Sequence, residues 1–230
     1  MEHGSAPAAV MRFAWEDPLR RITLVIGRLG LALLFFTQLF WKLPPRFGCG
    51  PGDGFSFTHF DDNGQLVRTS GLCDWVGIEA SYAHQDRRFL VTPGSDGGTL
   101  FSIGLGPLVK LNGLFVERVV QPAFGLFGWA IFLLEAFIAI SMLLGLFTRA
   151  GALVSLLLSL QLMLGLAGIW NPAAQINEWE WSYHLMILLS LVLLGVAPGR
   201  TLGVDAWLRP RLAASAEGGN RLARWLLALT

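Results

Sequence analysis

The chain has 230 residues, of which 53% are hydrophobic and only 14% are charged. A soluble domain of this size carries nearer a quarter charged residues, and the apolar residues here are concentrated in long runs typical of membrane proteins. The net charge of +1 indicates neither a nucleic acid nor an acidic macromolecule as a partner. The expected fold class is an all-α integral membrane protein in a lipid bilayer.

The first apolar run, Ile22–Leu43, predicts a transmembrane helix. It follows a mixed polar segment, residues 1–21, and it ends before Pro44-Pro45 because proline interrupts a helix. No short apolar region with a small-residue cleavage site precedes the run, so the helix is expected to remain uncleaved.

The long connection that follows, residues 44–118, is expected to lie outside the membrane. Residues 55–60 and 65–69 flank the turn sequence Asp61-Asp62-Asn63-Gly64 and predict a β-hairpin. The apolar, glycine-rich stretch 99–115 is expected to lie along the membrane surface.

Three further apolar runs predict the rest of a four-transmembrane-helix bundle, over residues 121–148, 150–170 and 181–199. A tight turn at Thr148-Arg149 makes the second and third helices a hairpin. At about 1.5 Å per residue each run can cross a hydrocarbon core of about 30 Å, the last with the least to spare. Backbone amides inside lipid must be satisfied within the segment, which favours helices over irregular chain.

Eight arginines predict the orientation, because all eight fall on one side if four helices cross the membrane. That side is expected to be the cytoplasm, so both termini lie inside and residues 44–118 form a large extracytoplasmic loop. The membrane domain is expected over residues 22–210, followed by a cytoplasmic amphipathic tail, residues 211–230. The eight arginines are Arg20, Arg21, Arg149, Arg200, Arg209, Arg211, Arg221 and Arg224.

The two cysteines, Cys49 and Cys73, both fall in the predicted outer loop, where disulfides persist. A structural disulfide across this span would contribute about 3 kcal/mol in the chain-entropy model. The alternative is a redox-active pair. Active pairs generally lie close together in sequence, and these two do not, so the structural bridge is favoured.

Polar side chains within the predicted spans are the candidates for function, because a charge in lipid is costly and usually faces a partner or a cavity. They are spread over successive depths, and such a ladder could take up protons, bind a polar head group or pass a small solute. Measured from the cytoplasmic end at about 1.5 Å per residue, the depths are about 9 Å for Arg28, 17 Å for Glu135 and Gln161, 23 Å for Gln38 and His184, and 30 Å for Lys42.

Each candidate also has a purely structural interpretation. Arg28 and Lys42 can extend to the two interfaces, and Gln161 can hydrogen-bond between helices. His184 can be a solvated residue at the outer interface. Glu135 is harder to explain in this way, because a short carboxylate at mid-depth cannot reach water. It is expected to be neutral or paired, with Arg28 as the nearest cation.

The four histidines are scattered over both sides of the membrane, so the sequence predicts no metal site and no haem ligation. No flavin-binding motif is recognised either. If an electron acceptor is needed, it must bind as a substrate or reside on another subunit.

Short motifs at the helix ends carry a family resemblance. They are Arg28-Leu29-Gly30-Leu31 with Trp41-Lys42-Leu43, then Glu135 with LLGLFTR at 143–149, and finally EWEWSY at 178–183 with GRTLGVDAWL at 199–208. In this order they resemble the DoxX/DoxD family of membrane proteins over roughly residues 22–210, excluding most of the outer loop. The DoxD branch is the membrane subunit of thiosulfate:quinone oxidoreductase.

The resemblance implies a membrane subunit of a quinone-linked oxidoreductase in the plasma (inner) membrane of a prokaryote. Thiosulfate or a related sulfur compound would be the donor and quinone the acceptor, with other membrane or extracytoplasmic subunits as partners. Lys42 and Arg46 would attract an anion from the outer side. The implied site comprises Glu135 and His184 as catalytic residues, and Arg28, Gln38, Lys42 and Gln161 as substrate- or quinone-binding residues.

Two other functions fit the same pattern. The bundle can be a non-catalytic scaffold or accessory subunit of a larger membrane redox complex, docking through the outer loop and the tail. A small-solute carrier is the third hypothesis, but one short bundle lacks the inverted repeat of typical carriers.

Overall fold

The computed structural model describes residues 15–50, 54–55, 59–60, 66–67, 71–85, 87–93, 98–167, 170–171, 176–177 and 180–230. These residues are mostly helical. The helices are α1 (Glu16–Leu39), α2 (Leu72–Ala83), α3 (Gly106–Phe115), α4 (Phe124–Leu144), α5 (Thr148–Leu166), α6 (Glu180–Val196), α7 (Val204–Glu217) and α8 (Arg221–Leu229). A π-helix, Val116–Val120, links α3 towards α4, and a 3₁₀ turn, Pro198–Arg200, follows α6.

Strands in the described residues form short antiparallel pairs. They are β1 (His59–Phe60) with β2 (Leu66–Val67), β3 (Arg88–Pro93) with β4 (Thr99–Gly104), and β5 (Trp170–Asn171) with β6 (Ile176–Asn177). In the first pair His59 lies opposite Val67 and Phe60 opposite Leu66, at the position of the predicted hairpin. The turn residues 61–65 of that prediction lie outside the described residues.

Among the described helices, α1, α4 and α5 are long and apolar enough to cross a membrane. The predicted fourth span corresponds to α6, whose apolar part, Trp181–Val196, is shorter. The four helices nevertheless pack side by side, with α1 against α4, α4 against α5, α5 against α6 and α6 against α1. Their shared core is aliphatic and aromatic, with Leu31, Phe35, Ile138, Met142 and Leu193 fully buried.

The first helix begins and ends earlier than predicted. Glu16 and Asp17 lie in its first turn, where acidic side chains interact favourably with the helix dipole. Pro18 is tolerated there because the first-turn amides lack intrahelical partners. At the other end α1 stops at Leu39, so Trp41 and Lys42 belong to a turn rather than to the helix.

The hairpin between α4 and α5 is also shifted from its predicted turn. Gly145 adopts the left-handed conformation with φ of +66° and ends α4, as glycine commonly does after a helix C-terminus. The connection therefore covers residues 145–147, and Thr148 is already the first residue of α5. At its far end α5 stops at Leu166, four residues before the predicted limit.

The described residues between positions 40 and 123 form a cap over one end of the four packed helices. Within its described part, α2 and α3 both pack on α5, and α2 also contacts α3. Phe47, Leu72, Val76, Val116 and Val120 give the cap a buried core. The stretch 99–115, expected to lie along the membrane surface, forms β4 and α3. The described part of the long connection is therefore folded.

The disulfide is present: Cys49 is bonded to Cys73 in the first turn of α2, with their Cα atoms 6.0 Å apart.

We expect the Cys49→Ser/Cys73→Ser variant to lose about 3 kcal/mol of unfolding free energy, because the bridge restricts the unfolded chain. Thermal unfolding in detergent measures the loss. Wild-type protein with reductant should behave like the double variant, and a wild type insensitive to reductant under unfolding conditions would contradict this expectation.

α7 and α8 pack against each other at the end of the bundle opposite the cap, and α8 also contacts α5. α8 lies within the predicted amphipathic tail, residues 211–230, whereas α7 continues to Glu217 and so runs through the predicted domain boundary at residue 210. Trp207, Leu222 and Trp225 are exposed on this helical pair.

Candidate functional site

A cavity of about 640 Å³ lies where the cap meets the helix bundle. Its wall is mostly apolar and includes side chains from α1, α2, the π-helix, α4, α5 and α6. Four of the residues predicted as site residues line it, namely Gln38, Lys42, Glu135 and Gln161. A space of this size with a few converging polar groups is typical of small-molecule sites.

The strongest polar feature of the wall is an ion pair between Lys42 and Glu135. Both side chains are buried, with 8% and 3% of their surface exposed. The Lys42 ammonium also lies 4.3 Å from the ring centre of Trp41. Lys42 therefore does not extend to the outer surface, as its structural interpretation would have it. The cation paired with Glu135 is Lys42 and not, as was expected, Arg28. Because α1 ends at Leu39, the turn lets the lysine stem reach back into the bundle.

The second carboxylate oxygen of Glu135, Oε2, is buried and has no hydrogen-bond partner among the described residues. A buried acceptor without a partner is costly, and such atoms commonly mark a place for water or a ligand. Because Glu135 lines the cavity, this oxygen can accept a hydrogen bond from a hydroxyl group bound there.

A second buried carboxyl group, Glu79 of α2, lines the same cavity. Gln161 Nε2 donates a hydrogen bond to Glu79 Oε2 at 2.6 Å, and the Asn112 side chain forms a second hydrogen bond with the carboxyl group. Burial raises the pKa of Glu79 to about 7, although both amides and the charge of Arg87 oppose the shift. A Cβ at Gly165 would come within 2.5 Å of this carboxyl group, so glycine is needed for α2 to approach α5.

Arg87 connects the cap to the end of α5 through hydrogen bonds. Its guanidinium donates to the carbonyl oxygens of Leu164 at 2.5 Å, Gly165 at 3.1 Å and Met163 at 3.2 Å, and also to that of Ala167. The last carbonyls of a helix generally lack partners within it, and a cation at a helix C-terminus is favourable. The Met163 carbonyl also accepts a hydrogen bond from the Ala167 amide. Burial lowers the pKa of Arg87 to about 10, although the charge of Glu79 opposes this.

Aromatic side chains complete the wall. The rings of Trp41 and Trp75 lie 6.0 Å apart, and Trp41 Nε1 donates to Gln38 Oε1 at 2.9 Å. Tyr183 of α6 lines the cavity and is close enough to Glu79 to interact with it electrostatically. The cavity thus offers flat apolar surfaces next to hydrogen-bonding groups, which suits a flat ring with polar edges.

Sequence reasoning missed Glu79, Arg87 and Tyr183. Glu79 and Arg87 lie in the long connection, where helices were not predicted and side chains could not be assigned to the bundle. One signal was available: residues 72–83, LCDWVGIEASYA, are apolar apart from two carboxylates. A carboxylate within such a short apolar helix indicates a buried position that needs partners.

Two predicted site residues do not line the cavity. Arg28 Nη2 donates to the Leu202 carbonyl at 3.2 Å, at the end of the bundle opposite the cap. His184 follows the lining residues Ser182 and Tyr183 on α6, but its ring lies 6.3 Å from that of Trp181 instead. The structure therefore does not bring Arg28 or His184 to the lysine–glutamate pair.

Two of the helix-end motifs, LLGLFTR and GRTLGVDAWL, meet at the end of the bundle away from the cap. Asp205 Oδ1 accepts from the Phe147 amide at 2.7 Å, and Oδ2 accepts from the Thr148 amide at 3.0 Å and from its hydroxyl at 2.8 Å. Gly145 and Gly203 leave room for the Arg28 guanidinium, since a Cβ at either would collide with it. LLGLFTR and GRTLGVDAWL therefore dock on each other around one buried carboxylate.

The second half of the chain, which contains these two motifs, matches a known protein family. The sequence model of the DoxD family, described as "TQO small subunit DoxD", matches residues 109–229, just over half of the chain. The matched part contains Glu135, Gln161 and both docking motifs. In the described residues no group of three or more histidine, cysteine or acidic side chains is placed to hold a metal ion. No curated protein and no solved structure matches the chain. The chain belongs to the DoxD family, the small subunit of thiosulfate:quinone oxidoreductase.

Proposed function

We propose that this chain is the quinone-binding membrane subunit of a thiosulfate:quinone oxidoreductase and that the cavity beneath the cap is its quinone site. The composition of the cavity wall supports this most directly. Trp41 and Trp75 provide flat apolar surfaces, Lys42 is a donor for a quinone oxygen, and Glu135 Oε2 is a buried acceptor for a quinol hydroxyl. The volume, about 640 Å³, lies within the range of sites for substituted rings.

The charges of the wall favour a neutral ring over a sulfur oxyanion. Among the lining residues that the structure describes, Lys42 is the single cation, and Glu135 neutralises it. A thiosulfate dianion would enter without a compensating charge and would pay a large desolvation cost. We therefore assign oxidation of the sulfur compound to a partner subunit. Lys42 is not available for the anion-attracting role predicted from the sequence, although Arg46 remains exposed on the cap.

The proposed topology has four spans with both termini in the cytoplasm of a prokaryotic cell. α6 rises about 25 Å over its 17 residues, and the Pro198–Arg200 turn extends it. Arg149, Arg200 and Arg209 lie near one another at the end that carries α7 and α8, as expected for a cytoplasmic face. The disulfide lies in the cap at the other end, where an oxidising compartment would keep it formed.

Quinone binding tests the proposal. A water-soluble quinone added to the detergent-solubilised protein is expected to quench tryptophan fluorescence saturably, because Trp75 lines the cavity. The quenched fraction should fall in Trp75→Phe and should not fall in Trp225→Phe, a matched change at an exposed site on α8. Equal quenching of both variants, or the absence of saturation, would contradict a quinone site in this cavity.

An accessory, non-catalytic role is the second candidate, favoured by the exposed tryptophans of α7 and α8. Trp207 and Trp225 are 61% and 75% exposed, and Arg211 lies 3.6 Å from the ring centre of Trp207. Such a surface suits the membrane interface or a neighbouring subunit. Saturable quinone binding with quinone reduction would distinguish the enzyme from a scaffold, which should show neither.

A further inference from the structure

Glu79 is a buried acidic residue of the cavity wall that takes no part in the quinone contacts proposed above. Glu79 is buried on α2, and its carboxyl group is held by two neutral amides, Gln161 from α5 and Asn112 from α3. Gly165 leaves the space that the carboxyl group occupies. The carboxyl group is therefore fixed in position at the cavity wall by residues of α3 and α5.

The charged and titratable groups around Glu79 come from every side. Arg87 interacts with it electrostatically, but its guanidinium donates to the carbonyls that end α5. Tyr183 faces it from α6, and the Lys42–Glu135 pair lies elsewhere on the same wall. Burial outweighs the contacts that favour the carboxylate, so the pKa of Glu79 is raised to about 7. A large share of the Glu79 side chains therefore carries a proton at neutral pH.

The two carboxyl groups of the cavity have different surroundings. Glu135 is paired with the ammonium group of Lys42, and its Oε2 atom has no hydrogen-bond partner among the described residues. Glu79 has amide partners and no direct ion pair among the described residues. Two carboxyl groups held in such different environments commonly divide the acid and acceptor roles between them.

We propose that Glu79 is the general acid that protonates one oxygen of the quinone bound in this cavity. The proposal rests on the proposed quinone site. Reduction to quinol requires two electrons and two protons. The electrons come from two thiosulfate ions, which join through a new sulfur–sulfur bond. The O–H bond of Glu79 breaks as a quinol O–H bond forms, the carboxylate left behind takes a proton from water, and the second quinone oxygen also takes its proton from water.

Glu79→Gln tests the proposal, because an amide keeps the shape of a protonated carboxyl group but cannot donate an acidic proton. In the detergent-purified complex given thiosulfate and a water-soluble quinone, the rate of quinone reduction is expected to fall about 100-fold. The wild-type rate should decline above about pH 7 as Glu79 loses its proton, and this decline should be absent in the variant. Quinone affinity, measured by tryptophan quenching, should change little.

Glu117→Gln is the matched control, because Glu117 lies in the cap but pairs with the exposed His84 instead of lining the cavity. It should leave both the rate and its pH dependence unchanged. Gly165→Ala is a second variant in case Glu79→Gln does not fold. Its new methyl group would displace the Glu79 carboxyl group, so it should also lower the rate and shift the alkaline decline.

Infrared difference spectroscopy provides a readout that does not depend on turnover. A carboxylic acid C=O band that titrates at about pH 7 in the wild type should be absent from Glu79→Gln and present in Glu117→Gln. A variant that binds and reduces quinone with the wild-type rate and pH profile would overturn the role of Glu79 and leave the quinone site standing. Failure of the wild type to bind quinone would overturn the quinone site itself.

Discussion

Lys42→Met is expected to lower the free energy of unfolding by about 3 to 5 kcal/mol. The ammonium group of Lys42 is the ion-pair partner of Glu135, whose side chain is only 3% exposed. Methionine fills a similar volume, so the cost comes from the charge left behind and not from a void. A buried carboxylate without its cation is expensive, and no second cation lies among the described residues of the cavity wall. Thermal unfolding in a fixed detergent measures the change.

Two further variants separate loss of the ion pair from general damage. Lys110→Met removes an exposed lysine of α3 and should change the unfolding free energy by less than about 0.5 kcal/mol. The double variant Lys42→Met/Glu135→Leu removes both charges and should recover most of the stability, because paired buried charges can be replaced by apolar groups at little cost. A double variant less stable than Lys42→Met would show that the ion pair is not what the single substitution disrupts.

Asp205→Ala is expected to cost about 4 kcal/mol of unfolding free energy. The fully buried carboxylate accepts three hydrogen bonds, from the amides of Phe147 and Thr148 and from the Thr148 hydroxyl. Alanine would leave these donors buried without partners, at about 1 to 3 kcal/mol each, partly relieved by relaxation. It would also remove the carboxylate that interacts with Arg28. Thermal unfolding is again the measurement.

Graded and matched substitutions sharpen this prediction. Asp205→Asn keeps one oxygen acceptor and should cost less than alanine. Glu217→Ala removes an exposed acidic residue from the other end of α7 and should have little effect. Quinone binding should survive Asp205→Ala wherever the protein remains folded, because Asp205 lies at the opposite end of the bundle from the cavity. Loss of stability no greater than that of Glu217→Ala would contradict the docking of the two motifs around Asp205.

The apolar runs were sufficient to predict the helices of the bundle and the close connection between α4 and α5. The reason is physical: an uninterrupted run of this length in lipid can satisfy its backbone only as a helix. The ends were less predictable, because they depend on local features such as the acidic first turn of α1 and the left-handed Gly145. The disulfide between Cys49 and Cys73 was predicted correctly from compartment and spacing.

Some of the polar residues that line the cavity could also be predicted from the sequence. Gln38, Glu135 and Gln161 were recognised as polar residues in apolar helices, and all three line the cavity. Depth counting failed for Lys42 because it assumes a straight helix through residue 43, whereas the chain turns after Leu39. For Arg28 the counting gave the smallest depth, about 9 Å from the cytoplasmic end, and the structure holds its side chain at the end of the bundle opposite the cap.

The contribution of the cap could not be predicted, because it depends on contacts between residues far apart in the chain. Glu79 meets Gln161 across 82 positions, and Arg87 meets the carbonyls of α5 across a similar separation. No local pattern in residues 44–118 indicates which side of α2 faces the bundle. The polar wall of the cavity comes partly from these contacts, so the site was recognised only in part before the fold was known.

Photoaffinity labelling tests the central claim, that quinone binds between the cap and the bundle, most directly. A photoreactive quinone irradiated with the protein, followed by proteolysis and mass spectrometry of the labelled peptides, reports which residues are near the ring. Label is expected on peptides that carry Trp41 and Lys42 or Trp75 and Glu79, and an excess of unlabelled quinone should suppress it. Label confined to α7 and α8, or label that competing quinone does not reduce, would contradict the account.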